Sequence, residues 1–141
     1  MKNKPAYTIV LLALVLLFGS CSSKPDISTV EETLSNRVLA ESLGSLELLS
    51  IEKVNAQESE LFGREMYSIK YKGTIEVKKD CYMYVNKSGM GSFFESFKTY
   101  DESPEFIPSM QMQIVKCNMG DEVDFYDVAK FTNTENGWVE Q

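Results

Sequence analysis

Tyr67-Ser68-Ile69-Lys70-Tyr71-Lys72-Gly73-Thr74-Ile75-Glu76-Val77-Lys78 alternates between two kinds of residue along its whole length. Tyr67, Ile69, Tyr71, Gly73, Ile75 and Val77 share one set of positions, and Ser68, Lys70, Lys72, Thr74, Glu76 and Lys78 share the other. Successive side chains of a strand point to opposite faces, so this pattern predicts a long strand with one face buried and one wet. A strand this long bends, and Gly73 marks a place for the bend. Asp80 ends it, and Cys81 to Val85 either continues it or returns as a short strand.

Upstream, the period changes. Ile27, Val30, Leu34 and Val38 recur at spacings of three and four, which predicts a helix from Ser28 to Leu43 with one apolar face. Glu31, Glu32, Asn36, Arg37 and Glu41 fall largely off that stripe. Ser28 with Glu31 reads as a capping box, and Gly44 as the stop. The stripe is expected to dock on the inward residues of the strand above. Leu46 to Val54 predicts a strand of imperfect alternation, and the polar stretch 55–63 a turn or loop.

Downstream, Gly89, Gly91, Pro104 and Pro108 punctuate residues 86–108. Phe93, Phe97 and Tyr100 are spaced to permit one or two helical turns. Met110, Met112 and Ile114 predict a strand, Asn118 to Asp121 a turn, and Val123 to Phe131 a last long strand with a bulge at Asp127-Val128. Asn136-Gly137 suits a type I′ turn. The elements sum to an α+β domain: one N-terminal helix packed on a curved antiparallel sheet of about four strands.

The first residues follow different rules. Lys2 and Lys4 precede an almost unbroken apolar run from Ala6 to Phe18. A run of about 13 residues matches a signal h-region and falls short of the roughly 20 that cross a bilayer. Phe18-Gly19-Ser20-Cys21 then resembles the bacterial lipobox, in which small residues precede an obligatory cysteine. The resemblance implies cleavage before Cys21 and acylation of its thiol and amino group, with Phe18 standing where Leu is usual. It divides the chain into a lipoprotein signal peptide (1–20), a lipidated tether (21–27) and one domain (28–141). Ser22, rather than Asp, after the cysteine implies the outer membrane, facing the periplasm or the surface, over the inner membrane. The implied partner is therefore the membrane itself, through the lipid on Cys21, with an envelope protein as a further candidate.

Composition narrows the chemistry. The chain of 141 residues has 14 basic and 21 acidic residues and a net charge of −7. Loss of Lys2 and Lys4 leaves 12 basic against 21 acidic residues, a net of −9. Such a surface argues against nucleic acid as a partner. Histidine is absent, which removes the commonest general base and the commonest transition-metal ligand. No cofactor and no catalytic residue is expected.

Two cysteines remain beside Cys21. In an oxidising compartment Cys81 and Cys117 form either a disulfide or a pair of buried thiols. Asp121, Glu122, Asp124 and Asp127 are the densest carboxylates. Strand residues three apart diverge to opposite faces, so they are expected to bind no metal. Phe93, Phe94, Phe97, Tyr100 and Phe106 are the densest aromatic cluster, and form either core or an exposed binding surface.

A second resemblance covers about half of the mature chain. Gly120-Asp121-Glu122-Val123 leading to Lys130-Phe131-Thr132-Asn133-Thr134-Glu135-Asn136-Gly137-Trp138 is similar to the end of small exported bacterial proteins of cystatin-like or NTF2-like fold. Leu49 to Asn55 and Tyr67-Ser68-Ile69 are similar to their earlier strands. The resemblance implies that fold. Enzymes of the NTF2-like class use His/Asp pairs, which this chain cannot supply. The expected function is a non-catalytic binding or interaction module; the alternatives are an NTF2-like hydrolase or isomerase and a purely structural envelope lipoprotein.

Overall fold

The alternating stretch forms the central strand of the larger of two antiparallel ladders. A computed structural model describes residues 23–88, 91–107 and 109–141. Helix α1 (Ile27–Glu41) is followed by β1 (Leu46–Leu61), β2 (Arg64–Val77), β3 (Cys81–Ser88), β4 (Gly91–Phe93), β5 (Thr99–Tyr100), β6 (Met112–Cys117), β7 (Glu122–Thr134) and β8 (Gly137–Glu140). The first ladder has the order β1-β2-β7-β8. In the second, β3 is central: β6 runs along one edge, and short β4 and β5 share the other.

The domain is thus α+β, with one helix and antiparallel strands among the described residues, but the strands there number eight rather than about four. The two ladders are joined by a bent ribbon. β2 passes into β3 through residues 78–80, and β6 passes into β7 alongside it through residues 118–121. Val77 N–H donates to Asp121 O (2.9 Å), Gly120 N–H to Val77 O (2.7 Å) and Met119 N–H to Asp80 Oδ1 (2.7 Å). These bonds satisfy the backbone where the ladders would otherwise break.

Several local expectations are corrected. The helix is capped by Asp26, not Ser28: the Asp26 carboxylate accepts from Ser28 N–H (3.0 Å) and Thr29 N–H (3.2 Å). It ends at Glu41, two residues early, because Leu43 (φ 52°) and Gly44 (φ 80°) are already left-handed. Residues 55–61 are strand, not loop, and β1 runs on to Leu61. β1 is an edge strand with most of its length in water, so polarity there does not argue against pairing. Register shifts after Leu48 and Lys53 leave Leu49 and Val54 as extra residues, which explains the imperfect alternation. The β2–β7 register is unbroken, so there is no bulge at Asp127-Val128. The type I′ turn falls at Phe62-Gly63 (φ 51° and 73°). At the β7–β8 connection Gly137 has positive φ and Asn136 does not. Phe93 to Tyr100 forms two short strands with irregular chain between them, not helical turns.

The core lies between helix and bent sheet. Val30, Leu34 and Val38 of α1 are buried with Ile69, Tyr71, Ile75 and Val77 of β2 in one apolar cluster. At its centre Phe94, Phe97 and Phe125 pack with ring centroids 5.4–5.7 Å apart. Gly73 leaves the space that Phe125 fills, since a Cβ there would meet the ring at 2.6 Å.

Candidate functional site

Helix α1 and strands β2, β4, β7 and β8 line a cavity of about 390 Å³ between the helix and the sheet. Helical spacing brings Val30, Thr33, Leu34 and Arg37 to one wall. Strand alternation points Tyr71 inward, and antiparallel register sets Asp127 of β7 directly opposite it. Phe94, Ala129 and Glu140 complete the lining.

The polar groups here are paired. Tyr71 Oη donates to Asp127 Oδ2 (3.2 Å). Burial, reinforced by the Asp127 charge, raises the Tyr71 phenol above its ordinary range, so it stays a neutral donor. Arg37 Nε donates to Glu41 Oε1 (2.9 Å), and its Nη2 to the Glu95 carbonyl (2.9 Å). The guanidinium also lies 5.3 Å from the Phe97 ring centroid. Glu41 accepts further bonds from Phe97 N–H (2.7 Å) and Ser96 Oγ (3.3 Å). Its partial burial opposes ionisation, but these bonds and the Arg37 charge outweigh burial and hold its pKa below the usual carboxylate range. Glu140, at the cavity mouth, is shifted upward by partial burial, against a Thr33 hydrogen bond and the Arg37 charge.

Chemically, the polar lining includes the Tyr71 and Thr33 hydroxyls, the Asp127 and Glu140 carboxylates and the Arg37 guanidinium, beside the apolar Val30, Leu34 and Ala129. That set can hold a small polar group. Among the described residues, no group of three or more metal-ligating side chains is placed to hold an ion, and no helix is long and apolar enough to cross a membrane.

The five aromatic candidates do not share one surface. Phe94 and Phe97 are sealed in the core, and Phe93 lines the cavity wall. Tyr100 is half-buried on β5, edge-on to Tyr84 at 5.6 Å. Phe106 stands 71% exposed, with its carbonyl accepting from Tyr84 Oη. The carboxylates diverge: Asp124 takes a bond from Thr74 Oγ1 on the outer face (2.7 Å), Asp127 faces Tyr71, and Asp121 accepts from Asn118 N–H in the turn (2.7 Å).

Cys81 and Cys117 are register partners across β3 and β6, and both are buried free thiols here. Burial, with the neighbouring Cys81, pushes the Cys117 thiol up to about 11. Cys81 is raised too, by burial and by Asp80 and Asp101. Cys21, the lipidation candidate, and residues 1–20 lie outside the described residues.

Sequence reasoning did not assemble Arg37, Tyr71, Asp127 and Glu140. One signal was present: Tyr71 is a polar-tipped residue flanked in its row by the apolar Ile69, Gly73, Ile75 and Val77, and such a hydroxyl needs a partner once buried. No protein-family model, curated protein or solved structure matches the chain.

Proposed function

We propose that the chain is a lipid-anchored protein of the bacterial cell envelope whose domain binds a ligand or partner without catalysing its conversion. The observation that carries this reading is Cys21, placed immediately after a charged start, an apolar run and two small residues. One acyl chain holds a protein only marginally to a bilayer, whereas two or three hold it stably. Ser22 at the next position favours the outer membrane by the same resemblance. A helix lying across a bent antiparallel sheet, with a cavity between them, supports the cystatin-like or NTF2-like reading of the domain. The cavity, lined by a few polar side chains beside apolar ones, supports the binding reading. The NTF2-like enzyme reading draws on Asp127, the one carboxylate held against a phenol inside that cavity.

Metabolic labelling with a radioactive fatty acid tests the anchor. Wild-type protein is expected to carry label and sediment with membranes. Cys21→Ser is expected to do neither. Equal labelling of the two overturns the reading.

A further inference from the structure

We propose that the tip of the β1–β2 hairpin is a second membrane contact, with Leu61 and Phe62 entering the interfacial layer of the bilayer that holds the lipid on Cys21. The proposal rests on the lipid-anchor reading above.

The tip is unusual in two independent ways. First, Phe62 occupies the leading position of the type I′ turn at φ 51°. Asn, Asp or Gly suit that position, and a bulky L-residue there is strained by the contact of its Cβ with the backbone. Second, its ring is 95% exposed, and Leu61 beside it is 53% exposed. Among the described residues, little packs on the ring to offset the strain. A strained, exposed aromatic residue points to something outside the domain.

The position of the tether says what that is. Lys24 forms an ion pair with Glu58, and its ammonium lies 6.0 Å from the Tyr67 ring centroid. Glu58 and Tyr67 are register partners on the same hairpin, with Ser59↔Met66, Glu60↔Glu65 and Leu61↔Arg64 following toward the tip. At a rise of about 3.4 Å per residue, the turn lies roughly 10–14 Å beyond the Lys24 contact. Cys21 precedes Lys24 by three residues, so it stays within about 11 Å of it. Lys24 and the Phe62 ring therefore lie toward the same end of the molecule, and the three-residue step from Cys21 to Lys24 is too short to carry the domain far from the bilayer.

The energetics fit this arrangement. Insertion of one Phe and one Leu is too weak to recruit a free protein from solution. The tether supplies an effective concentration in the millimolar range, so a weak contact becomes occupied without further affinity. Aromatic residues favour the headgroup level. Glu58, Glu60 and Glu65 outnumber Lys24 and Arg64 around the tip, and Glu60 and Glu65 are directly opposed. Their charge resists deeper entry, and it selects a zwitterionic surface over an anionic one.

The test uses the full-length lipidated protein in phosphatidylcholine vesicles with brominated acyl chains, which quench tryptophan at membrane depth. Wild type, with Trp138 alone, gives the baseline. Phe62→Trp is expected to emit further to the blue and to lose emission beyond that baseline. Met119→Trp, in the turn at the other end of the β2–β7 ladder, is expected to show neither change. Leu61→Trp reports the same contact should Phe62→Trp not fold. Vesicle-bound protein whose Phe62→Trp and Leu61→Trp signals match Met119→Trp overturns the contact while leaving the anchor intact. Protein that carries no lipid and does not bind vesicles overturns the anchor reading, and this proposal with it.

Discussion

A methyl group on residue 73 would sit 2.6 Å from Phe125 Cζ and 2.7 Å from Cε1. The ring cannot withdraw, because Phe94, Phe97 and Tyr71 pack around it. Gly73→Ala is therefore expected to lower stability by about 1–3 kcal/mol, the usual effect of overfilling a packed interior. Urea melts measure it, and an unchanged midpoint means that the ring has another place to go. The sequence marks Gly73 as special through its place in an apolar row, and suggests a bend. Its partner Phe125 was not legible, since which residue of β7 faces Gly73 is set by a register formed across about 50 residues of chain. Phe62 escaped notice for the opposite reason. It sits among polar residues that read as a loop, and only backbone geometry exposes the strain.

Helix α1 shows how far local pattern reaches. Spacing of three and four correctly singled out Val30, Leu34 and Val38 as the buried face. It left Glu41 on the wet side, yet Glu41 ties the helix end to the 94–97 segment, 56 residues away. No local pattern encodes that tie. Because the folded-state pKa of Glu41 lies below its ordinary value, the stabilisation is present above the ordinary carboxylate range and is lost as pH falls through the folded value. Glu41→Gln is expected to lose about 1 kcal/mol near neutral pH, discounted for partial exposure. The gap from wild type should close in acid. Urea midpoints across pH check this, and a gap that stays constant into acid removes Glu41 from the account.

At the scale of the molecule, composition and two periodicities were enough for the α+β class and for a curved antiparallel sheet. They did not reveal two ladders, because the bent ribbon at 78–80 and 118–121 carries ordinary turn residues on both sides. The ribbon continues into β3 and β6, where it sets Cys81 opposite Cys117. Directly opposed antiparallel residues have Cα atoms about 4.5–5.5 Å apart, inside the bridging range of about 4.4–6.8 Å. Protein drawn from an oxidising envelope is expected to hold a disulfide here. Denatured without reductant, it should leave both thiols unalkylated, and reduction should free them. The bond would stabilise the fold by roughly 4 kcal/mol. Alkylation of Cys81 and Cys117 in unreduced, denatured protein rejects the bond.

The pairing of β2 with β7 has a further consequence, for the order of events as the chain is made. β1 and β2 are joined by a two-residue turn and can zip early. The other edge of β2 waits for residues 122–132. Contacts between such distant segments must bear the closure entropy before any reward, which slows folding into the range of milliseconds to seconds. A chain emerging N-terminus first would thus present an unpaired row of backbone donors and acceptors until its last segment arrives. During that interval a neighbouring chain can add its own strand to the open row. Under the proposed lipid anchor, such chains would share a surface, where their encounters would be more frequent. A holding chaperone at the point of emergence would matter most for this half-zipped state.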